Sequence, residues 1–145
     1  MRLTAEPLDP GALLGRFSAG RSETGAVVSF TGLARAGAGA VRALELQAYP
    51  GFTDAEISRI AEAAAARFSL QDVLVAHRIG VVAPGEAIVF VAVAAAHRRE
   101  AFLGADHLMD YLKSRAPFWK KERGPDGERW IEPTPRDLAD AARWD

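Results

Sequence analysis

The chain of 145 residues contains no cysteine. Disulfides, thiolate metal ligands and a cysteine nucleophile are excluded, and any sulfur chemistry has to take its sulfur from outside the chain. Histidine is scarce, with three in all. His77, His97 and His107 show neither H-x-x-x-H nor H-E-x-x-H spacing, so no metal site is expected. No apolar run approaches the roughly 20 residues of a membrane span. The first residues, MRLTAEPLDP, lack the apolar core of a secretory signal. A cytoplasmic protein is therefore expected. The net charge of −1 is too small for the broad basic surface that nucleic-acid backbones demand. There is no G-x-S-x-G motif. Gly37 and Gly39 lack the third glycine and the following helix of a dinucleotide fingerprint.

What is present describes an ordinary globular protein, 49% hydrophobic and 26% charged. One domain over residues 1–145, with one core, is expected. Asp9 and Pro10 read as the N-cap and first position of a short helix. Gly25 to Arg35 reads as a strand whose small residues, Ser29, Thr31 and Gly32, predict close packing. Ala36 to Ala40 reads as a loop, and Val41 to Tyr49 alternates as a strand. Thr53 and Glu56 predict a capping box opening a second helix. Asp72 to Val82 reads as one strand, with His77 as a satisfied structural histidine. Pro84-Gly85 predicts a type II turn and a hairpin with Ala87 to Ala95, a strand apolar on both faces and hence central. Gly124 to Gly127 predicts a second hairpin, pairing Phe118–Arg123 with Arg129–Glu132. The tail from Asp137 to Asp145 is expected to be helical, with Trp144 docking on the body or on another chain. The fold class expected is α+β: a mostly antiparallel sheet over residues 25–95, flanking helices, and a small C-terminal β-hairpin subdomain.

The stretch from His97 to Arg123 holds the chemistry. Phe102, Ala105, Leu108, Met109 and Leu112 recur at helical steps, and Pro117 ends that helix. Seven fixed cations (Arg98, Arg99, Lys113, Arg115, Lys120, Lys121 and Arg123) outnumber four acids. His97 and Arg98 lie at the helix N-terminus, which favours an anion. Lys113 and Lys120 flank the proline, so their amines can converge on one pocket. Burial or a neighbouring cation lowers a lysine's pKa and makes it a base or nucleophile. A solvated basic face explains the charge equally simply; the aromatic pair Phe118 and Trp119 favours an anion site. Arg35 reads either as a solvated loop residue or as a cation delivered to the site. Arg115 reads either as a third pocket cation or as an ion-pair partner of Asp110.

These residues resemble a known family. AHRREAF, MDYLKSRAPFWKKE and RWIE, together with VVSFTGLAR, YPG, HRIG and the PGE turn before IVFVAV, are similar to the large, catalytic subunit of molybdopterin synthase. The resemblance runs in order from about Gly25 to Glu132 and implies an α/β-hammerhead type of fold. It implies a sulfurtransferase that inserts sulfur into cyclic pyranopterin monophosphate to give molybdopterin. It implies a small ubiquitin-like partner subunit, carrying the sulfur as a thiocarboxylate on a C-terminal Gly-Gly tail. It also implies a homodimer of large subunits within a heterotetramer, and no cofactor. Lys113 and Lys120 fall on the family's catalytic lysines. Arg35, His97 and Arg98 fall on its phosphate-binding positions, and Phe30 and Met109 on its apolar lining. Leu33, Ala34, Lys121, Glu122 and Arg115 are further expected substrate contacts. Leu33 stands where relatives often carry lysine. Thr134 stands where some place an arginine that reaches the neighbouring subunit, with Arg136 two residues on. On this reading Lys113 assists thiocarboxylate attack and Lys120 stabilises the developing anion. The alternative function is a non-catalytic module that binds a phosphate, a pterin or a partner's tail.

Overall fold

Strand β6 (Ala87–Ala95) organises the molecule, because it is apolar at every position and nearly all of it is buried. A strand of that kind needs cover on both faces. The computed structural model describes residues 1–145 and supplies that cover. Val89, Val91, Val93 and Ala95 pack against helices α2 (Phe52–Phe68) and α3 (Arg98–Arg115). Phe90, Ala92 and Ala94 pack against Leu13 and Phe17 of α1 (Pro10–Ser18). Asp9 caps α1 as expected, its carboxylate accepting from the Ala12 N–H at 3.1 Å.

The first sheet runs β1-β4-β6-β2, where β1 is Arg2–Thr4, β2 Ala26–Leu33 and β4 Asp72–Arg78. Only the β1–β4 pair is parallel. A second sheet runs β5-β3-β7-β8, antiparallel throughout, from β3 (Ala43–Ala48), β5 (Gly80–Val82), β7 (Phe118–Gly124) and β8 (Gly127–Ile131). Helix α4 (Pro135–Ala142) closes the chain against α3. The α+β class is the one expected.

Several local expectations change. Residues 25–95 do not form a single sheet: β3 leaves β2 and joins the C-terminal hairpin, so that hairpin is half of a four-stranded sheet. The run 72–82 is two strands in different sheets. The chain breaks at Gly80, whose φ of +85° is a conformation that side chains disfavour. The Pro84-Gly85 turn forms, with Glu86 N–H on the Ala83 carbonyl at 3.1 Å. It joins one sheet to the other, however, and β6 takes β4 as its antiparallel partner. Thr53 does not cap α2. The N-cap is Gly51 without a side-chain bond, and Glu56 pairs instead with Arg59. The capping box of this chain is at α4, between Thr134 and Asp137. Phe102 lies outside the core at 61% exposure, because the buried stripe of α3 is Ala101, Ala105, Leu108 and Leu112. Trp144 docks on the body of its own chain, edge-on to Phe68 and His107, with Nε1 donating to Asp110 at 2.6 Å.

Candidate active site

The helix α3 and the strand β7 are joined by only Ala116 and Pro117. Proline has no N–H to continue the helix, and it holds the preceding residue extended; Ala116 sits at φ −72° and ψ 130°. The chain therefore leaves the last turn of α3 and enters β7 almost at once. That geometry brings Lys113, on the last turn, and Lys120, third in the strand, to one cavity of about 430 Å³. The volume is within the range of small-molecule sites. Phe30, Gly32 and Leu33 of β2 supply one wall, Met109 and Leu112 of α3 another, and Arg35 and His77 add polar groups.

The two amines differ in setting. Lys113 is exposed, whereas Lys120 is half-buried. Burial and, to a smaller extent, the nearby Lys113 charge pull the Lys120 amine down to about 8, with the Asp137 carboxylate opposing both. A lysine near 8 is unprotonated often enough at neutral pH to accept a proton. His77 is buried at 5% exposure. Its Nδ1 lies 2.7 Å from the Arg78 carbonyl, which can only accept, so Nδ1 carries the hydrogen. Burial, with a smaller push from Lys120, depresses its pKa to about 4 and keeps the ring neutral.

Of the residues singled out in the sequence, the cavity gathers Phe30, Leu33, Arg35, Met109, Lys113 and Lys120. The others lie elsewhere in this chain. His97 and Arg98 are exposed at the opposite end of α3 from Lys113, about 22 Å along a helix that rises 1.5 Å per residue. Ala34 is buried, and its backbone is occupied: its N–H donates to the Glu86 carbonyl at 2.9 Å and its carbonyl accepts from Gly85 at 2.8 Å. Lys121 points to the other face of β7, as alternation requires. Its amine is 3.0 Å from Glu128 and 4.5 Å from the Trp130 ring centre. Glu122 pairs with Arg129 at 2.7 Å. Arg115 is neither a pocket cation nor the partner of Asp110. It stacks on Tyr111 and lies 3.4 Å from Asp145, while Asp110 is taken by Arg143 and Trp144.

Sequence reasoning did not assign Thr31, Gly32 or His77 to the site, nor the apolar Ile88, Val89 and Leu112 that also line it. Gly32 carried a signal, since a small residue in a strand marks a close approach. A Cβ there would lie 2.8 Å from Val89 Cγ1 and 3.2 Å from the Phe30 ring.

Comparison with known proteins gives a consistent picture. The family profile described as "MoaE protein" matches residues 3–115. The chain is 71% identical over 143 residues to the molybdopterin synthase catalytic subunit of Caulobacter vibrioides, covering 99% of this chain and 95% of that protein. Among solved structures it is similar to the molybdopterin biosynthesis MoaE protein of Burkholderia ambifaria, with a TM-score of 0.84, 41% identity, and coverage of 99% and 95%. It is also similar to the molybdopterin synthase of Staphylococcus aureus, with a TM-score of 0.81, 27% identity, and coverage of 90% and 95%.

Proposed function

The chain belongs to the MoaE protein family, and from that premise we propose how its cavity carries out the work of a molybdopterin synthase catalytic subunit. The protein is an enzyme of molybdenum cofactor biosynthesis, a sulfurtransferase. We propose that it converts cyclic pyranopterin monophosphate to molybdopterin. The sulfur comes from the thiocarboxylated Gly-Gly terminus of a small partner subunit. A chain without cysteine needs such a donor. We place the reaction in the cytoplasm and read residues 1–145 as one domain, because α4 docks on α3 through Arg143 and Trp144.

The observation that carries this reading is the meeting of Lys113 and Lys120 in one cavity beside Arg35. Arg35 binds the phosphate, since a guanidinium matches phosphate oxygens in a two-pronged fashion. The apolar wall of Phe30 and Met109 takes the ring system. The thiocarboxylate sulfur displaces an oxygen of the pterin side chain, and water then splits the acyl–sulfur bond so formed. Lys120, the amine held near 8, accepts that water's proton, sulfur stays on the pterin, and the partner leaves as its carboxylate. The Lys113 ammonium stabilises the negative charge that develops. This exchanges the roles that sequence reasoning assigned to the two lysines, because Lys120 is the less exposed of the two. His97 and Arg98 are too far from the cavity to serve it in their own chain. In the homodimer we propose, they serve the site of a second copy.

The test supplies precursor and thiocarboxylated small subunit to the wild type and to Lys120→Ala, and follows both thiocarboxylate and product by mass spectrometry. A catalyst consumes the thiocarboxylate, and the variant loses about 10²-fold or more in turnover. Binding of precursor without any consumption of thiocarboxylate by the wild type would make the chain a binding module instead.

A further inference from the structure

The lysine pair depends on a bend, and the bend is held from a distance. Pro117 lies between the last residue of α3 and the first of β7, outside the β3–β7 ladder, which begins at Phe118. Its carbonyl accepts from the Thr53 hydroxyl at 2.9 Å, across 64 positions of sequence. The same hydroxyl accepts from the Tyr49 N–H at 2.8 Å. Thr53 is completely buried. It stands in the first turn of α2, past the Gly51 N-cap, and its hydroxyl makes no cap bond to the helix. Both hydrogen-bonding capacities of the hydroxyl tie the β3–α2 corner to the α3–β7 corner.

We infer that Thr53 is a positioning residue for the reaction: its hydroxyl locks the bend at Pro117 and so sets how closely the Lys113 and Lys120 amines face each other across the cavity. The lever is long enough to matter. Lys120 is three residues past the bend, about 10 Å along a strand. A tilt of about 10° at Pro117 moves it by about 2 Å, and a 1 Å misplacement of reacting groups is already costly. The hydroxyl also pairs a half-buried carbonyl that has no other partner within the chain, and leaving it unpaired is unfavourable. A threonine that merely satisfied this carbonyl would affect stability and leave the lysines as they are. A positioning threonine affects the lysines as well.

The two roles separate in a measurement that needs no substrate. Trace acetylation of the folded protein across pH, read by peptide mass spectrometry, reports the titration of each lysine amine. Thr53→Val keeps the shape and removes the hydroxyl; Thr53→Ala removes the hydroxyl and the methyl, with no risk of a clash; Thr53→Ser keeps the hydroxyl. With the bend released, Lys120 gains water and moves away from Lys113. Its midpoint then rises from about 8 by roughly one pH unit in the Val and Ala variants. The Ser variant titrates like the wild type. Turnover follows, falling about tenfold in Val and Ala and restored in Ser. A Val or Ala variant that is folded by circular dichroism, with Lys120 titrating as in the wild type, overturns the inference. The inference takes the two lysines as the reactive pair only for the turnover readout. Loss of that pair's catalytic role in the Lys120→Ala assay would leave the acetylation result standing.

Discussion

The imidazole of His77 lies flat on the ring of Phe118, with centroids 4.1 Å apart and planes 20° from parallel. This stack joins β4 of one sheet to β7 of the other, directly beneath Lys120 in the strand order. It also makes the junction sensitive to acid. The folded His77 pKa is about 4 against an ordinary 6.5, so the unfolded chain binds a proton that the folded chain refuses. Stability is then lost as pH falls from about 6.5 toward about 4. Urea midpoints measured across that range will fall with pH, and His77→Phe, which cannot be protonated, will flatten the slope. An equal slope in the variant would assign the acid sensitivity to other groups.

Lys120 leads to a second pH dependence, of opposite placement. Its folded pKa is about 8 against an ordinary 10.5. A base must be unprotonated, so turnover should rise with pH to a plateau, with an apparent pKa near 8. Lys120→Arg keeps the charge but cannot lose a proton in this range, and is expected to fall by about 10²-fold or more with no rise up to pH 9. Stability moves in the same direction as activity: between pH 8 and 10.5 the unfolded lysine holds its proton and the folded one does not, so folding gains as pH climbs. Initial rates and melting temperatures over pH 6–10 check both.

Gly32 offers a test of the cavity wall. Because a Cβ there meets Val89 and Phe30 closer than ordinary contact, Gly32→Ala pushes the Phe30 ring into the space meant for substrate. Overpacking of this kind costs about 1–3 kcal/mol, on an edge strand that can give way. Activity is expected to fall further than stability, mainly as a higher KM. A variant with wild-type KM would place the substrate elsewhere.

The parts of this molecule that were legible in sequence are those decided locally. Asp9-Pro10 starts a helix whatever else the chain does, and Pro117 ends one. Gly124 to Gly127 turns a hairpin, with Lys120 opposite Ile131. The lysine pair was legible for the same reason, as two residues seven positions apart, one at a helix end and one at a strand start. What escaped was decided by distant partners. The T-x-x-E pattern at Thr53 is a fair local signal, but the hydroxyl is claimed by a carbonyl 64 positions away. The division of β3 from β2 depends on which strand lies alongside, and periodicity does not carry that. His97 and Arg98 are a different case: the length of α3 was readable, and its rise alone separates them from Lys113. Phe102 was placed in the core by its bulk, but on that turn the buried position of an otherwise correct stripe is the smaller Ala101.

The carboxylate of Asp137 sets the last expectation. It caps α4 by accepting from the Thr134 N–H at 2.9 Å, and Thr134 returns the bond to Asp137 N–H at 3.1 Å. Thus held, it faces the charges of Lys113 and Lys120, which together with the capping bonds keep its pKa below the ordinary value despite some burial. In return it raises the Lys120 pKa, against burial and Lys113. Asp137→Asn keeps an oxygen for the cap, since asparagine caps as well as aspartate, and removes only the charge. The Lys120 midpoint should then drop below 8, by about half a pH unit for a charge of this kind at a partly wet site. The rate profile shifts to lower pH by the same amount, and the plateau falls because a weaker base takes the proton less readily. Trp144→Ala, which loosens the anchor of α4 on Asp110, moves the profile in the same direction by freeing the whole helix. A profile unchanged in Asp137→Asn would mean that water, rather than this carboxylate, balances the lysine pair.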